Sequence, residues 1–323
     1  MRAIVQDAYG TADRLEARDI DRPVPRDDEV LVEVRAAGVD PSVWHLMTGR
    51  PLVARVALGL RKPKNPVRGW DGAGLVEAVG AKVTEFKPGD EVFGNCDGSF
   101  AEFARAKARR LVFKPPHLTF EQAAALPVSG MTALQALKGT ARPQPGDRVL
   151  VIGASGGVGS FAVQLATMYG AVVTGVCGPT NTDFVRSLGA AHVLDYTQED
   201  VTAGPSDRYD VIVDCAGLRP VPQLRRVLAP RGTLVMVGGE GGSAFFGGLG
   251  REIRASLLSP FIGQNLRNLI SLPRHEDLLT LKDLAEQGKI TPAIDRTYPL
   301  AEAADAVRHL ENGHPRGKLV VTI

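Results

Sequence analysis

The run Val149-Leu-Val-Ile-Gly-Ala-Ser-Gly-Gly-Val-Gly159 constrains this chain more than any other stretch. Val149 to Ile152 have the length and branching of a strand buried on both faces. Gly153, Gly156, Gly157 and Gly159 then form a glycine-rich turn. Beyond it Val158, Phe161, Ala162, Leu165 and Ala166 recur at the spacing of one apolar helix face, and Gly170 supplies a helix stop. A helix N-terminus offers unpaired N–H groups and partial positive charge to an anion, and glycines let the backbone approach a pyrophosphate. The motif reads Ala154-x-Gly156-x-x-Gly159, with alanine in the first position. The preceding strand and the following helix supply the context that the motif demands, so the stretch predicts dinucleotide binding.

The rest of the chain fits around that unit. From Gly146-Asp147 onward, strand candidates alternate with helical patterns: Val149–Ile152, Val172–Val176, His192–Leu194, Val211–Asp214, Leu234–Val237 and roughly 257–262. Helices are expected at Thr182–Leu188 and Pro222–Leu228, and the alternation specifies a parallel sheet covered on both faces. Before about residue 120 the pattern is β-rich, with Val30–Val34, Gly74–Val79 and Glu91–Phe93 separated by Gly/Pro turns, which suggests a compact barrel-like lobe. Thr119-x-x-Gln122 resembles a capping box ahead of an alanine-rich helix. Helices near Asp277–Gln287 and Leu300–Glu311 and a last strand, Lys318–Ile323, close the chain. The Gly-rich piece Gly238–Gly250 reads as a surface loop or as a flap over a ligand.

Composition excludes several classes. The 323 residues suggest two lobes, and 44% hydrophobic with 23% charged residues is globular. A net charge of +2 gives no nucleic-acid surface, and the basic run Arg105, Lys107, Arg109, Arg110 reads first as a solvated face. The three cysteines, Cys96, Cys177 and Cys215, form no disulfide framework or C-x-x-C pair, which points to a reducing compartment. No run of about 18 apolar residues occurs. The expectation is a cytoplasmic protein with neither nucleic acid nor membrane as partner.

The residue after the second parallel strand discriminates between nicotinamide cofactors. An acid there bonds the ribose hydroxyls of NAD. Here that strand runs into Val176-Cys177-Gly178-Pro179-Thr180-Asn181, with no Asp or Glu. Gly178 and the small donors Thr180 and Asn181 leave room for a 2′-phosphate, so NADPH is expected over NADH, although no Arg or Lys sits in the turn.

Gly153–Gly159, Pro88-Gly-Asp-Glu-Val-Phe-Gly94, Gly130-Met-Thr-Ala-Leu-Gln-Ala-Leu137 and Gly317-Lys-Leu-Val-Val-Thr-Ile323 together resemble the medium-chain dehydrogenase/reductase superfamily, and within it the zinc-independent quinone-oxidoreductase branch. The resemblance covers essentially the whole chain. It implies an α/β protein with a GroES-like β-rich lobe, residues 1–122 and 273–323, and a Rossmann doubly wound parallel-sheet lobe, residues 123–272. It also implies a homodimer. Asp40 stands where the zinc relatives carry a catalytic Cys, Trp70 where they carry a His, and Val128-Ser129-Gly130 where a third ligand falls, so no metal is expected. Without a Lewis acid, activated acceptors such as quinones and conjugated enones are the expected substrates, reduced by NADPH. The alternatives are an enoyl or enone reductase of the same branch and a non-catalytic NADPH-binding redox sensor.

The resemblance also assigns site residues. Asp40, Ser42 and His45 are the candidate proton donors or substrate contacts, each with a plain structural reading beside it. Ala154, Ser155, Gly156, Gly157 and Val158 form the pyrophosphate turn, and Thr132 contacts the cofactor from the helix before it. Tyr196 packs beside adenine or the 2′-phosphate. Cys215, Ala216, Val237 and Gly238 lie at the ends of the next strands, Phe261 borders the nicotinamide, and Lys318 reaches a phosphate.

Overall fold

In a computed structural model, residues 1–203, 208–237, 262–313 and 315–323 are described. The chain divides into two compact units, Met1–Met131 with Pro273–Ile323, and Thr132–Leu272. The first junction falls nine residues after the expected one (131 − 122), because residues 123–131 pack with the first unit.

The first unit is built on strands β1 (Arg2–Val5), β2 (Glu16–Asp19), β3 (Glu29–Val39), β4 (Asp71–Val79), β5 (Glu91–Asn95), β6 (Phe103–Lys107) and β7 (Leu111–Phe113). The second contributes β8 (Arg148–Ile152), β9 (Val172–Cys177), β10 (His192–Asp195), β11 (Tyr209–Asp214), β12 (Leu228–Met236) and β13 (Asn265–Asn268). The chain then returns to the first unit for β14 (Ile294–Pro299) and β15 (Lys318–Thr322). Both ends of the chain therefore build one unit.

In the first unit the main sheet runs β14-β15-β3-β4-β5-β7, with β6 also on β3. The eleven-residue β3 is its spine, and the expected Val30–Val34 strand is only its first half. Its valines Val30, Val32 and Val34 are fully or almost fully buried with Val92, Phe100 and Leu319 in one core. The register sets Gly38 of β3 opposite Asp71 of β4, and Val39 opposite Leu319 of β15. Three strand ends thereby meet at one place. This lobe is not purely β. Helix α1 (Pro41–Thr48) follows β3, and α2 (Arg55–Leu58) follows α1. Helix α3 (Phe120–Ala124) starts in a complete capping box. The Thr119 hydroxyl accepts from the Gln122 N–H and the Gln122 side chain accepts from the Thr119 N–H. Thr119→Ala is expected to cost about 1 kcal/mol of stability, read by urea denaturation.

The second unit carries the parallel sheet β10-β9-β8-β11-β12-β13, in which all the pairings are parallel. Neighbouring β8 and β11 mark the point where strand order reverses, so the crevice beyond their carboxyl ends is the ligand position of such a sheet. Leu150, Ile152, Val176, Ile212 and Leu234 form its buried core. Helix α4 (Pro127–Leu134) leads into this unit, and α5 (Gly157–Met168) buries Phe161, Ala162, Leu165 and Ala166, the apolar stripe of the sequence. Gly170 stops it at φ +80°. Helices α6 (Thr182–Ser187) and α7 (Val221–Val227) flank the sheet as expected. Strand β13 carries no apolar pattern and was not expected. The Gly238–Gly250 segment and most of the 257–262 strand candidate lie outside the described residues.

Candidate functional site

The glycine turn joins β8 to α5. Gly153 takes φ +79°, and the N–H groups of Gly153 and Ala154 both donate to the Val176 carbonyl, at 3.1 and 2.9 Å. Gly159 is required by the protein itself, because a Cβ there would lie 2.0 Å from the Gly153 oxygen. Gly156 is different. It is the N-cap of α5 at φ −78°, a conformation open to any residue, and a Cβ there would meet only the Gly153 oxygen at 3.5 Å. No side chain caps the first turn of α5, and Gly156, Gly157 and Val158 are partly exposed. The Gly156 N–H is taken by the Gly153 carbonyl at 3.1 Å, so the Gly157 and Val158 N–H groups of the first helical turn, beside the empty Cβ position of Gly156, are the donors that suit a pyrophosphate. The turn therefore fits a dinucleotide.

Beside it β9 ends at Cys177, and the turn Gly178–Asn181 follows. Gly178 is close-packed by Tyr196, whose hydroxyl would lie 3.4 Å from a Cβ at that position; Tyr196 itself is 46% exposed. Thr180 is exposed. Asn181 departs from expectation: it is buried and its Nδ2 donates to the buried Ser155 hydroxyl at 3.3 Å. Those two side chains tie the glycine turn to the β9 turn. Asp195, which ends β10 opposite Cys177, is occupied by the Thr197 N–H and hydroxyl, both at 2.9 Å.

Across the switch point, Cys215 and Ala216 follow β11, with Cys215 N–H bonded to the Ile152 carbonyl at 3.0 Å. The Val237 N–H donates to the Asp214 carbonyl at 3.0 Å, and the buried Asp214 carboxylate accepts from the Gly217 N–H at 3.0 Å. Burial raises the Cys215 thiol well above its ordinary range and that of Cys177 to about 11, so both stay protonated. Thr132 is almost buried at the start of the second unit. Gly238 and Phe261 lie outside the described residues.

The first unit holds a second polar centre. β3 delivers Asp40 as the N-cap of α1, where its Oδ1 accepts from the Ser42 N–H at 2.8 Å and Pro41 takes the first helical position. β4 starts with Asp71 and β15 with Lys318. The Lys318 ammonium lies 3.6 Å from Asp40 and 3.7 Å from Asp71, and all three side chains are at most 2% exposed. Asp71 also accepts from Asn95 Nδ2 at 3.0 Å and from the Val128 N–H at 3.1 and 3.2 Å. The close approach needs Gly38, since a Cβ there would stand 2.5 Å from the Ala124 carbonyl and 3.0 Å from Asp71 Cβ. Burial, and next the Asp40 charge, push the Asp71 carboxyl well above the usual carboxylate range, although Lys318 and the hydrogen bonds pull the other way. Two carboxyls share one ammonium, and a proton on the pair makes the cluster neutral.

Three buried atoms here have no hydrogen-bond partner: Asp40 Oδ2, Ser42 Oγ and Lys318 Nζ. A buried unpaired polar group costs about 1–3 kcal/mol, so three together mark a place built for something besides stability. Lys318 is thus corrected: it does not reach out to a phosphate but is enclosed by two carboxyls. His45, one turn after Ser42 on α1, is exposed, with Nδ1 2.9 Å from the Arg50 carbonyl and its ring edge-on to Trp44 at 5.0 Å. Sequence reasoning missed Asp71 and Asn95; Asp71 lay in view within Gly69-Trp-Asp-Gly-Ala-Gly74, beside the position compared with a zinc ligand. Trp44 packs against the core and Trp70 lies under the Arg110 guanidinium at 5.0 Å.

The donor set does not suit zinc. Asp40 and Asp71 are hard oxygen groups already facing an ammonium, Trp70 cannot ligate, and Zn²⁺ takes three or four N, S or O ligands. Among the described residues no group of three or more His, Cys, Asp or Glu could hold a metal ion.

The chain belongs to the quinone-oxidoreductase-like branch of the medium-chain dehydrogenase/reductase superfamily, a family of oxidoreductases. Residues 26–116 match the alcohol dehydrogenase GroES-like domain and residues 188–321 a family described as zinc-binding dehydrogenase. The chain is 35% identical to the chloroplast envelope quinone oxidoreductase homolog of Arabidopsis thaliana, over 99% of this chain and 98% of that one. It is 31% identical to the NADPH-dependent alkenal/one oxidoreductase, chloroplastic, of the same plant, over 99% of this chain and 79% of that one. Among solved structures, the quinone oxidoreductase from Coxiella burnetii superposes with a TM-score of 0.88 at 30% identity, covering 100% of this chain and 99% of that chain.

Proposed function

We propose that the protein is a metal-independent reductase that uses NADPH to reduce quinones or conjugated enones. The observation that carries this reading is the open glycine turn at the switch point, where Gly156 leaves space that the fold itself does not need. The Gly157 and Val158 N–H groups would hold the pyrophosphate over the bare Gly156, and Gly178, Thr180 and Tyr196 the adenosine end. The lack of an acid after β9 favours a 2′-phosphate over free ribose hydroxyls. When bound, the nicotinamide supplies the hydride. On the acceptor side, Asp40 holds the N-terminus of α1, and the Ser42 hydroxyl stands as the proton donor to the reduced acceptor. The remaining work is positioning. A cytoplasmic homodimer belongs to the same proposal, and sedimentation at twice the 34.4 kDa chain mass tests the dimer.

The test is NADPH binding followed by single-turnover loss of NADPH absorbance on mixing with a quinone or an enone. Binding without loss across both acceptor classes would leave a non-catalytic NADPH-binding protein. Ser42→Ala is expected to lower kcat about ten-fold or more with NADPH affinity unchanged, whereas His45→Ala is expected to leave both within about two-fold.

A further inference from the structure

Between Asp40 and Asp71 the chain has no Asp or Glu but carries six Lys or Arg. Two of these are used internally. Arg55 donates to the Gly49 and Thr48 carbonyls and lies over the Tyr9 ring, and the buried Arg68 bonds the Leu46 and Asn65 carbonyls. The other four, Arg50, Arg61, Lys62 and Lys64, are exposed, and among the described residues no carboxylate pairs with them. The basic run at 105–110 behaves differently: Arg105, Lys107 and Arg110 pair with Glu29, Asp28 and Asp97. That run is a balanced face, and the earlier one is not.

The same excursion exposes aliphatic side chains. Val53, Val56 and Leu60 are 41%, 73% and 71% exposed. They are held there by a tied backbone. The Tyr9 hydroxyl donates to the Gly59 carbonyl at 2.7 Å, and the Lys64 N–H donates to the Leu58 carbonyl at 2.8 Å, folding the basic residues back against the end of α2. Outward apolar residues beside unpaired cations match an anionic lipid interface, which takes aliphatic groups at the headgroup boundary and attracts Lys and Arg.

We propose that the segment from Arg50 to Lys64 docks the protein on the surface of an anionic bilayer, with Val53, Val56 and Leu60 entering the interface and Arg50, Arg61, Lys62 and Lys64 facing acidic headgroups. This is surface docking, since no helix among the described residues is long and apolar enough to cross a membrane. It replaces the expectation, drawn from the lack of a spanning run, that no membrane takes part. The inference does not rest on the reductase reading, and it would bring such an enzyme to the phase in which apolar quinones dissolve.

The test is co-sedimentation of the full chain with vesicles of phosphatidylcholine alone and with 30% phosphatidylglycerol. Each basic residue at an anionic surface strengthens binding about five-fold. The full chain is expected to sediment with the anionic vesicles and not with the neutral ones. Val56→Asp with Leu60→Asp, and separately Lys62→Glu with Lys64→Glu, are each expected to weaken binding about ten-fold or more. Melting temperature and turnover of a water-soluble quinone should be unchanged in both. No binding to anionic vesicles, or equal binding by the variants, overturns the proposal. So does binding that the aspartates leave intact and that soluble heparin competes away, because the surface would then capture soluble anions.

Discussion

Lys318→Met is expected to destabilise the protein by about 3–5 kcal/mol at neutral pH, the scale for removing one partner from a buried charge cluster. Among the described residues the Lys318 ammonium is the cationic neighbour of both carboxyls, which are themselves at most 1% exposed. Methionine conserves the length of the side chain, so the loss is electrostatic rather than a cavity. The pH dependence identifies the cause. Asp71 already has a folded pKa above its unfolded value, so its contribution is complete below the ordinary carboxylate range near about 4 and is lost as pH rises through the folded value. Removing Lys318 removes the main attraction that lowers it, so the variant should be least impaired in mild acid and worst above neutrality. Asp71→Asn should flatten this slope, because Asp40 and Lys318 then form a neutral pair. Chemical denaturation between pH 5 and 9 checks both. A loss of stability independent of pH would show that packing, not charge, holds the cluster.

The second large effect separates two glycines three residues apart. Gly156→Val should fold with a loss of only about 1 kcal/mol, since its φ is ordinary and a Cβ there meets no described protein atom closer than 3.5 Å, while valine caps a helix less well than glycine. Its side chain would nevertheless occupy the space above the α5 donors, and NADPH affinity should fall between about ten- and a hundred-fold. Gly159→Ala should do the reverse in kind. A Cβ 2.0 Å from the Gly153 oxygen forces the turn apart, costing about 1–3 kcal/mol or more of stability before any ligand is added. Thermal melts with and without NADPH distinguish the pair. If Gly156→Val binds NADPH as the parent does, the turn is not the pyrophosphate site.

The sequence reading was strongest where a local pattern and a tertiary requirement coincide. The strand–turn–helix at 149–168 is such a case, because the same glycines satisfy backbone packing and leave the donors open. The capping box at Thr119 is another. Helix α1 was not foreseen, since Pro41 at its first position reads as a turn signal until Asp40 is seen capping it. Strand β13, Asn265–Asn268, has no apolar alternation and is specified by its pairing with β12. The candidate site divided in the same way. The backbone of the strand–turn–helix was legible from glycine spacing, whereas what surrounds the Lys318, Asn181 and His45 side chains depends on tertiary packing. Lys318 sits 278 residues from Asp40 in sequence (318 − 40), and only the β15–β3–β4 register brings the two carboxyls and the ammonium together.

The most direct test of the central claim is NADPH against NADH oxidation with an ortho-quinone acceptor after exhaustive chelation. Turnover that survives the chelator and is faster with NADPH is the predicted result. Activity that disappears with the chelator and returns on adding Zn²⁺ would contradict a metal-independent reductase, and a preference for NADH would contradict the reading of the turn after β9.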